Sequence, residues 1–441
     1  MTRILATGLA TACFVLLALS AAAADDPAGT HRFDFGFDHR ARYVDFDNII
    51  DYDNEADDEN RFFRFRTRLW GRLQYGSLEF KLQMTNEFRH YNHPDRDDSF
   101  DEAFVDLCYV KLDDMFGSGW SMTAGRQNII RGEGFLFFDA SPLDGSRSIY
   151  YNALVFQRAF GNSRLEIMGI SNPYKDKYFP VIGDKDKMLI EHDEEALAGI
   201  FTHTFPSKAV LEATYIYKRE TSPFDAAESG YSPDRSMHIA GLRMAVPAGT
   251  SDLFTAEFAA AMGEEDIDGY DLPDRDIASW AGLAAWKHTF AGSMTPYVKF
   301  SVAGFSGDDP DTADDEGWSP PFARWPKYSE LYIYSQIRER GIAQWSNLWF
   351  ANAEFVITPA EPVKLRFSYY RLMAFYNWVF KNSGKTRGDL LEFRADLKFF
   401  KGLTGHVVYE YNMPGDYYAF DDAGHFFRIE LNYAFSHGFD L

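Results

Sequence analysis

The stretch from Arg61 to Arg89 constrains the fold of this chain most, because its polar and apolar residues alternate one by one. Four arginines share one parity of its first half, apolar residues fill the other, and a Tyr75-Gly76-Ser77 turn leads into a second alternating half. A period of two is typical of a β-strand, and two strands around a short turn form a hairpin. The charged parity suits either the wet face of a soluble sheet or the lumen of a barrel whose other face meets lipid.

The connections along the rest of the chain decide between these alternatives. Alternating segments begin near His31, Asn60, Ser77, Glu102, Gly119, Ser146, Ser163, Glu195, Lys208, Ser236, Asp252, Ile277, Ser293, Ala343, Pro362, Thr386, Gly402 and His425. Long and short connections follow each other in turn between these segments, as transmembrane barrels require and soluble sandwiches do not. The sequence therefore predicts an all-β fold, a single-domain transmembrane antiparallel β-barrel of about 18 strands with short periplasmic turns and long extracellular loops.

The N-terminal residues predict export. A basic Arg3, an apolar run that reaches Leu19 and an Ala22-Ala23-Ala24 site are typical of a secretory signal peptide. We therefore assign residues 1–24 to the signal peptide and residues 25–441 to the barrel, and predict the outer membrane of a Gram-negative bacterium as its location. Cys108 is the one cysteine that follows the predicted signal peptide, so no intramolecular disulfide is expected.

Charge and aromatic residues indicate the partners. The net charge of −22 argues against nucleic acid, whose phosphates need a basic surface. Aromatic residues cluster where segments end, as in the interfacial girdles of barrels, which predicts contact with outer-membrane lipid and lipopolysaccharide. The acidic residues concentrate in the long connections, where they form either a solvated rim or a site for divalent cations or lipopolysaccharide. The alternating final segment through Phe435 predicts recognition by the barrel assembly machinery.

The candidate pore-lining residues are basic residues on the polar parity. They are Arg64, Arg66, Arg68, Arg72, Lys81, Arg89, Lys111, Arg126, Arg366, Arg394 and Lys398, with Lys364 and Arg428 beside them. Arginine forks bind carboxylates and phosphates through paired hydrogen bonds, and rings of basic residues select anions in pores. The alternative is a neutral lattice in which these residues pair with lumen acids, namely Glu79, Glu87, Glu392, Asp396, Glu410 and Glu430.

Signals of enzyme chemistry are weak. The chain has no Gly-x-Ser-x-Gly elbow, and its 11 histidines are scattered. His90 and His93 lack a convincing third metal ligand, and the acidic stretch 308–316 lacks the glycine and spacing of a calcium loop. We therefore predict a protein that is not an enzyme and needs no metal or cofactor.

Two stretches resemble a known family, the alginate export proteins and related outer-membrane porins. FVDLCYVKLDDMFGSGWSMTAGRQNIIRGEGFLFF contains a Gly125-Arg126-Gln127 segment that enters a glycine-rich loop, and GDLLEFRADLKFFKGLTGHVVYEYNMPGDYYAFDDAGHFFRIELNYAF resembles the last three strands of that family. The Gly145-Ser146-Arg147-Ser148 segment is similar to the return into the next strand, which adds Arg147 to the candidate solute path. The resemblance implies an 18-stranded barrel that passes an anionic polysaccharide through an arginine-lined pore.

These observations favour an outer-membrane channel for the passive export or diffusion of anionic solutes, with alginate as the polysaccharide that the resemblance implies. Inward folding of the connections 131–145 and 306–341 is expected to narrow the lumen. Three alternatives stay open: a general or differently selective porin for small acids or sugars, a plugged surface-binding or structural barrel with acidic cation-binding loops, and an outer-membrane hydrolase.

Overall fold

The structure, a computed structural model, describes residues 31–50, 52–56, 58–95, 101–134, 136–139, 150–183, 186–224, 233–266, 274–323, 327–331, 345–377 and 384–441. The predicted signal peptide and Arg147 lie outside these ranges. The strands are β1 (His31–Asp47), β2 (Asn60–Tyr75), β3 (Leu78–His93), β4 (Asp101–Leu112), β5 (Trp120–Gln127), β6 (Tyr151–Phe160), β7 (Ser163–Asn172), β8 (Val181–Ile182), β9 (Asp193–Thr204), β10 (Val210–Thr221), β11 (Asp234–Ala248), β12 (Asp252–Asp266), β13 (Arg275–Thr289), β14 (Tyr297–Phe305), β15 (Leu348–Ala360), β16 (Val363–Met373), β17 (Thr386–Phe400), β18 (Leu403–Pro414) and β19 (Gly424–Asp440). A 3-10 turn spans Met115–Gly117. Among the described residues, no helix is long and apolar enough to cross a membrane.

The strands close into a barrel. Each barrel strand pairs antiparallel with its neighbours in the chain, and β1 pairs with β2 on one side and with β19 on the other. The two-residue β8 is additional, since β7 pairs directly with β9. In the part of the chain that the structure describes, eighteen strands therefore form the wall, which confirms the predicted fold class.

The strand positions follow from local sequence. Each predicted start lies within about five residues of an observed one; the segment expected near Ser146, for example, begins at Tyr151. Tight connections such as 76–77 and 161–162 alternate with long ones such as 48–59 and 173–192. At the tight connections Gly76 and Gly161 have φ of 55° and 56°, a conformation that favours glycine. The predicted rhythm of short turns and long loops is confirmed.

The two faces of the wall have opposite chemistry. Apolar side chains are exposed on the outer parity, as shown by Leu69 at 61% and Phe258 at 53%. Inner-parity residues such as Arg66, at 6%, are buried inside the barrel. Because an apolar outer band is what lipid requires, the barrel presents a membrane-facing belt around a charged interior.

The barrel wall between β4 and β6 is completed by a loop. β5 ends at Gln127, and on its β4 side it reaches only the residues from Leu112 to Cys108. The connection 173–192 supplies β8, which pairs with Ala103 and Phe104 on the remaining half of β4. This connection, called the wall loop here, therefore takes the place of the missing length of β5.

The described residues of two other long connections enter the lumen. The first inward loop, 128–150, and the second inward loop, 306–347, meet where Phe137 stacks on Phe322, with ring centroids 5.5 Å apart. Both rings are fully buried, and they belong to the main apolar cluster of the protein together with Trp318 and Tyr151. The core of this barrel is thus made partly by its loops, and the space that they leave forms the site.

Candidate functional site

A cluster of arginines covers one side of the barrel interior. We name this cluster the arginine wall, and it consists of Arg40, Arg42, Arg64, Arg66, Arg68, Arg72 and Arg428 on the inner parity of β1, β2 and β19. Arg42 lies opposite Arg64, and Arg40 lies opposite Arg66. Directly opposed residues of neighbouring strands are within about 5 Å at their Cβ atoms, so like charges are crowded here.

Carboxylates among the arginines compensate this charge. Glu87 of β3 is completely buried and receives a hydrogen bond from Arg64. Arg42 lies 2.6 Å from Glu430, and Arg72 lies 2.6 Å from Asp34. Buried like charges are tolerable only when such partners neutralise them. The arginine wall is therefore an ordered ion-pair lattice, and its charge toward the lumen depends on which pairs are complete.

The predicted candidates of the first hairpin lie together on this side of the barrel. Lys81 sits over the ring of Trp70 at 5.3 Å, and Arg89 donates to the Tyr91 hydroxyl at 3.1 Å. Lys111, on β4, is half-exposed and pairs with Asp113 at 3.0 Å. Arg64, Arg66 and Arg68 lie in the arginine wall itself, and the more exposed Arg72 lies at its periplasmic end. The structure thus brings these residues to one wall.

The predicted candidates of the closing strands lie in another part of the lumen. Arg366 and Arg394 line a chamber described below, and Arg366 lies 3.5 Å from Glu354. Lys398 is exposed near the periplasmic end of β17. The candidate path is therefore split between the arginine wall and the chamber, with Arg428 common to both.

Arg126 is fully buried in the barrel wall. Its guanidinium donates to both carboxylate oxygens of Asp176 in the wall loop, at 2.8 and 2.9 Å, and to the Val105 carbonyl at 2.6 Å. The rings of Tyr150 and Phe179 cover it at 3.9 and 4.5 Å. The register pairs Arg126 with Asn152, on the same outward-facing parity as Leu154, so the prediction that Arg126 lines the pore is wrong. The structure instead gives Arg126 the contacts of an anchor for the wall loop.

The pKa of Asp176, the wall-loop partner of Arg126, is lowered in the folded protein. Burial alone would raise the pKa of Asp176, but its hydrogen bonds and charge pairing with Arg126 outweigh burial and lower that pKa. Asp176 therefore stays ionised in its buried position, as the anchor requires.

The first inward loop is fastened across the lumen by ion pairs. Arg131 lies 2.7 Å from Glu166 of β7, and Glu133 lies 2.8 Å from Arg243 of β11. Burial would raise the pKa of Glu133, but its hydrogen bond with Arg243 and nearby positive charges lower it. The predicted inward folding of this connection is confirmed for its described residues.

The second inward loop is fastened at two points among its described residues. Lys218 of β10 donates to the Pro321 carbonyl at 2.7 Å. Farther along, Glu410 of β18 accepts the Ser329 hydroxyl at 2.5 Å and the backbone N–H of Glu330 at 3.0 Å. Glu330 in turn accepts from Arg428 at 2.5 Å. A loop carboxylate is thereby placed directly on the arginine wall.

A chamber of about 510 Å³ remains between these loops and the strands β11–β19. Its basic lining residues are Arg243, Lys287, Lys299, Lys327, Arg366, Arg394 and Arg428. Its acidic lining residues are Glu133, Glu330, Glu354, Glu392 and Glu410. Burial lowers the pKa of Lys327 to about 8, although Glu133 and Glu257 act in the opposite direction. The chamber is thus strongly polar, with a slight excess of basic residues.

Sequence reasoning missed several of these residues. Arg40 and Arg42 alternate with apolar residues in the first segment, so the period of two contained the signal for them. Glu133 and Glu330 carry no such signal, because they lie in loops without periodicity. Among the described residues, no group of three or more His, Cys, Asp or Glu is arranged to hold a metal ion.

Comparisons with known proteins give structural matches alone. No protein-family model matches the chain, and no curated protein matches it. Among solved structures, the chain is similar to OccK5 (OpdH) of Pseudomonas aeruginosa, with 11% identity, a TM-score of 0.54, and 92% of this chain and 98% of that chain covered. It is also similar to OccAB1 of Acinetobacter baumannii, with 11% identity, a TM-score of 0.54, and coverage of 92% and 96%. The outer membrane protein OprD from Pseudomonas aeruginosa matches with 11% identity, a TM-score of 0.52, and coverage of 92% and 94%.

These matches correct the family resemblance. The similar solved structures are OprD and Occ proteins, so the assignment to the alginate export proteins is wrong. Sequence identities of 11–12% show a common fold and nothing finer. The shared fold is that of an outer-membrane barrel, and together with the apolar outer belt it confirms the predicted location. Nothing in these comparisons points to an enzyme.

Proposed function

We propose that this protein is an outer-membrane channel for the passive diffusion of small solutes that carry a carboxylate. One observation supports this proposal most: an arginine wall runs along one side of a lumen that two fastened loops reduce to a small polar chamber. The proposal keeps the predicted channel and replaces the polysaccharide with a small acid, as the open alternative of a differently selective porin allows.

The chemistry of the interior supports a carboxylate. Arginine presents a planar fork of donors that fits a carboxylate, and in a narrow lumen it lowers the cost of removing an anion from water. The partly exposed members matter most, because Arg72 and Arg394 have side chains that are 38% and 28% exposed. These two arginines can meet a passing solute without breaking a buried pair.

The size of the chamber supports a small solute. A space of about 510 Å³ lies within the range of sites for small molecules. The ion pairs of both inward loops hold its borders in place. A monomeric acid fits such a space in a way that an extended polymer does not.

A second candidate, a plugged structural barrel, is favoured by the pairing of the arginines with acids. Conductance separates the two candidates, because a plugged barrel passes no current. If the barrel conducts and the arginine wall is a charge-neutral lattice, then removing its exposed arginines changes the current little.

The test is the reversal potential of the purified barrel in a planar bilayer under a potassium acetate gradient. We expect the native chain to be anion-selective. In the double variant Arg72→Gln with Arg394→Gln, we expect the anion-to-cation permeability ratio to fall at least about twofold, because each lumen charge contributes up to about 1 kcal/mol before screening. Arg158→Gln is the matched control, because Arg158 is exposed on the outer parity of β6. Cation selectivity, or equal effects of the variants and the control, would refute the proposal.

A further inference from the structure

The ion pair between Glu330 and Arg428 joins the second inward loop to the arginine wall. Both residues line the chamber, and the carboxylate oxygen and guanidinium nitrogen are 2.5 Å apart. A charge-assisted bond of this kind has the geometry with which an arginine holds a free carboxylate. Glu330 thus occupies the position that a carboxylate solute would need at Arg428.

We infer that Glu330 is a resident carboxylate that competes with the solute for Arg428 and so sets how tightly the chamber binds small carboxylates. This inference rests on the proposed function in that it names a regulator of the same solute path. When a solute carboxylate arrives, the Glu330 side chain turns into the chamber and the solute takes its hydrogen bonds from Arg428. No backbone movement of the loop is required.

The loop segment stays in place without the Glu330 side chain. Its position is fixed by the backbone N–H groups of Glu330 and Leu331, which both donate to Glu410 at 3.0 Å. Leu331 is also completely buried in an apolar cluster, whose other buried members are Val44, Phe46, Ile49, Phe62, Val408 and Phe426. Because these contacts do not involve the Glu330 carboxylate, its removal leaves the segment docked.

Arg428 is likewise held in place by other groups. Its Nε donates to Nε2 of His406 at 2.9 Å, and its guanidinium lies 5.5 Å from the centre of the Phe426 ring. The side chain is 5% exposed and therefore has little freedom to turn elsewhere. A solute that displaces Glu330 consequently meets a preorganised guanidinium, which lowers the entropic cost of binding.

The fraction of time that Glu330 occupies Arg428 determines how much its removal changes the dissociation constant for a small carboxylate. A site that is available for only a fraction of the time binds its ligand more weakly by that fraction. If Glu330 occupies Arg428 for about nine-tenths of the time, removing its charge lowers the dissociation constant for a small carboxylate about tenfold.

The test is the binding of carbon-13 acetate to the detergent-solubilised full chain, followed by NMR line broadening. We expect the acetate dissociation constant to fall about tenfold in Glu330→Gln and to stay within about twofold in Ser329→Ala. Ser329→Ala is the matched control for docking, because it removes one hydrogen bond to Glu410 and keeps the carboxylate. Circular dichroism and heat-modifiable gel migration verify that each variant retains the barrel.

A second control separates competition from simple charge. Glu354→Gln removes one negative charge from the same chamber, but Glu354 accepts from the Tyr297 hydroxyl at 3.0 Å and lies 3.5 Å from Arg366. The Glu354 carboxylate accepts no hydrogen bond from Arg366. We therefore expect Glu354→Gln to change the logarithm of the acetate dissociation constant by less than half as much as Glu330→Gln does. Equal effects of the two variants, or no effect of Glu330→Gln, would overturn the inference.

The outcome is distinguishable from that of the proposed function, because acetate binding in detergent does not depend on conduction. Tighter acetate binding by Glu330→Gln in a barrel that shows no anion selectivity would support the resident carboxylate and refute the channel proposal. Anion selectivity with unchanged acetate binding by Glu330→Gln would support the channel and overturn the resident carboxylate.

Discussion

Replacing Arg126 by glutamine is expected to release the wall loop from the barrel. Arg126 and Asp176 are both completely shielded from solvent as side chains, and two hydrogen bonds of 2.8 and 2.9 Å join them. Removing one partner of a buried pair costs about 3–5 kcal/mol, because the remaining charge is buried without compensation. That free energy corresponds to an increase of about 100-fold to several thousandfold in the population of the undocked loop.

The attachments of the wall loop to β4 are weaker than this pair. Lys187 pairs with Glu102 at 3.1 Å with its side chain 22% exposed, and β8 contributes a ladder of only two residues. Partly exposed pairs contribute about 1 kcal/mol or less. We therefore expect loss of the Arg126 anchor to open the loop while the barrel strands stay paired.

The assay is limited proteolysis of the folded barrel with thermolysin, whose rate follows the population of the open loop when opening is fast. The matched control is Lys177→Gln, which breaks a pair with Asp193 in which both side chains are exposed, at 51% and 40%. We expect less than about 1 kcal/mol for this control. Equal cleavage rates in the native chain and in Arg126→Gln would refute the anchoring role.

Two changes to the same pair refine the test. Arg126→Met with Asp176→Leu removes both charges together, and apolar replacement of a buried pair often restores most of the stability.

Acid also acts on the pair, because the pKa of Asp176 is lowered in the folded protein. The ion pair therefore stabilises the docked loop fully at pH values above 3.8, the usual pKa of an aspartate, and this stabilisation is lost as the pH falls below that value. Cleavage should therefore accelerate in acid in the native chain and not in the double variant.

Two further outcomes test the lumen. Anion selectivity should decrease as the pH rises from 7 to 9, because burial lowers the pKa of Lys327 to about 8. Lys327→Met should remove this pH-dependent change in the reversal potential. The other charged groups that face Lys327 are Glu133, Glu257, Lys299 and Arg243. Phe137→Ala should cost about 3–5 kcal/mol of packing where the inward loops meet, and it should raise single-channel conductance. Phe116→Ala should leave conductance unchanged, because Phe116 lies in a periplasmic turn and is 74% exposed.

The barrel wall could be predicted from the sequence because it follows from a local pattern of alternating residues. A period of two determines which side chains face the lumen, and the length of each connection determines the membrane side on which it lies. Arg64 and Phe63 could therefore be placed on opposite faces from their parity alone, and the structure has them buried and exposed, respectively. The same reasoning reached the arginine wall through β2 and would have reached Arg40 by the same parity in β1.

The contacts of the loops could not be read in this way, because they join residues that are far apart in the chain. Arg126 is expected from the sequence to line the pore, yet it pairs in register with Cys108 and Asn152 on the outward-facing parity of the wall, where the wall loop covers it through Asp176. The Gly125-Arg126-Gln127 segment suggested a family for a similar reason: a strand end that enters a glycine-rich loop is a local pattern that barrels of different function can share.

The charge of the lumen is consequently a property of the loops as much as of the strands. The strands place arginines side by side at a spacing that requires counter-charges, and strand acids such as Glu87 and Glu430 supply only part of them. Glu330 comes from a connection, and connections change more freely than paired strands because they carry fewer ladder hydrogen bonds. A change of one loop carboxylate would therefore retune the binding of anionic solutes while the wall that carries the arginines stays intact.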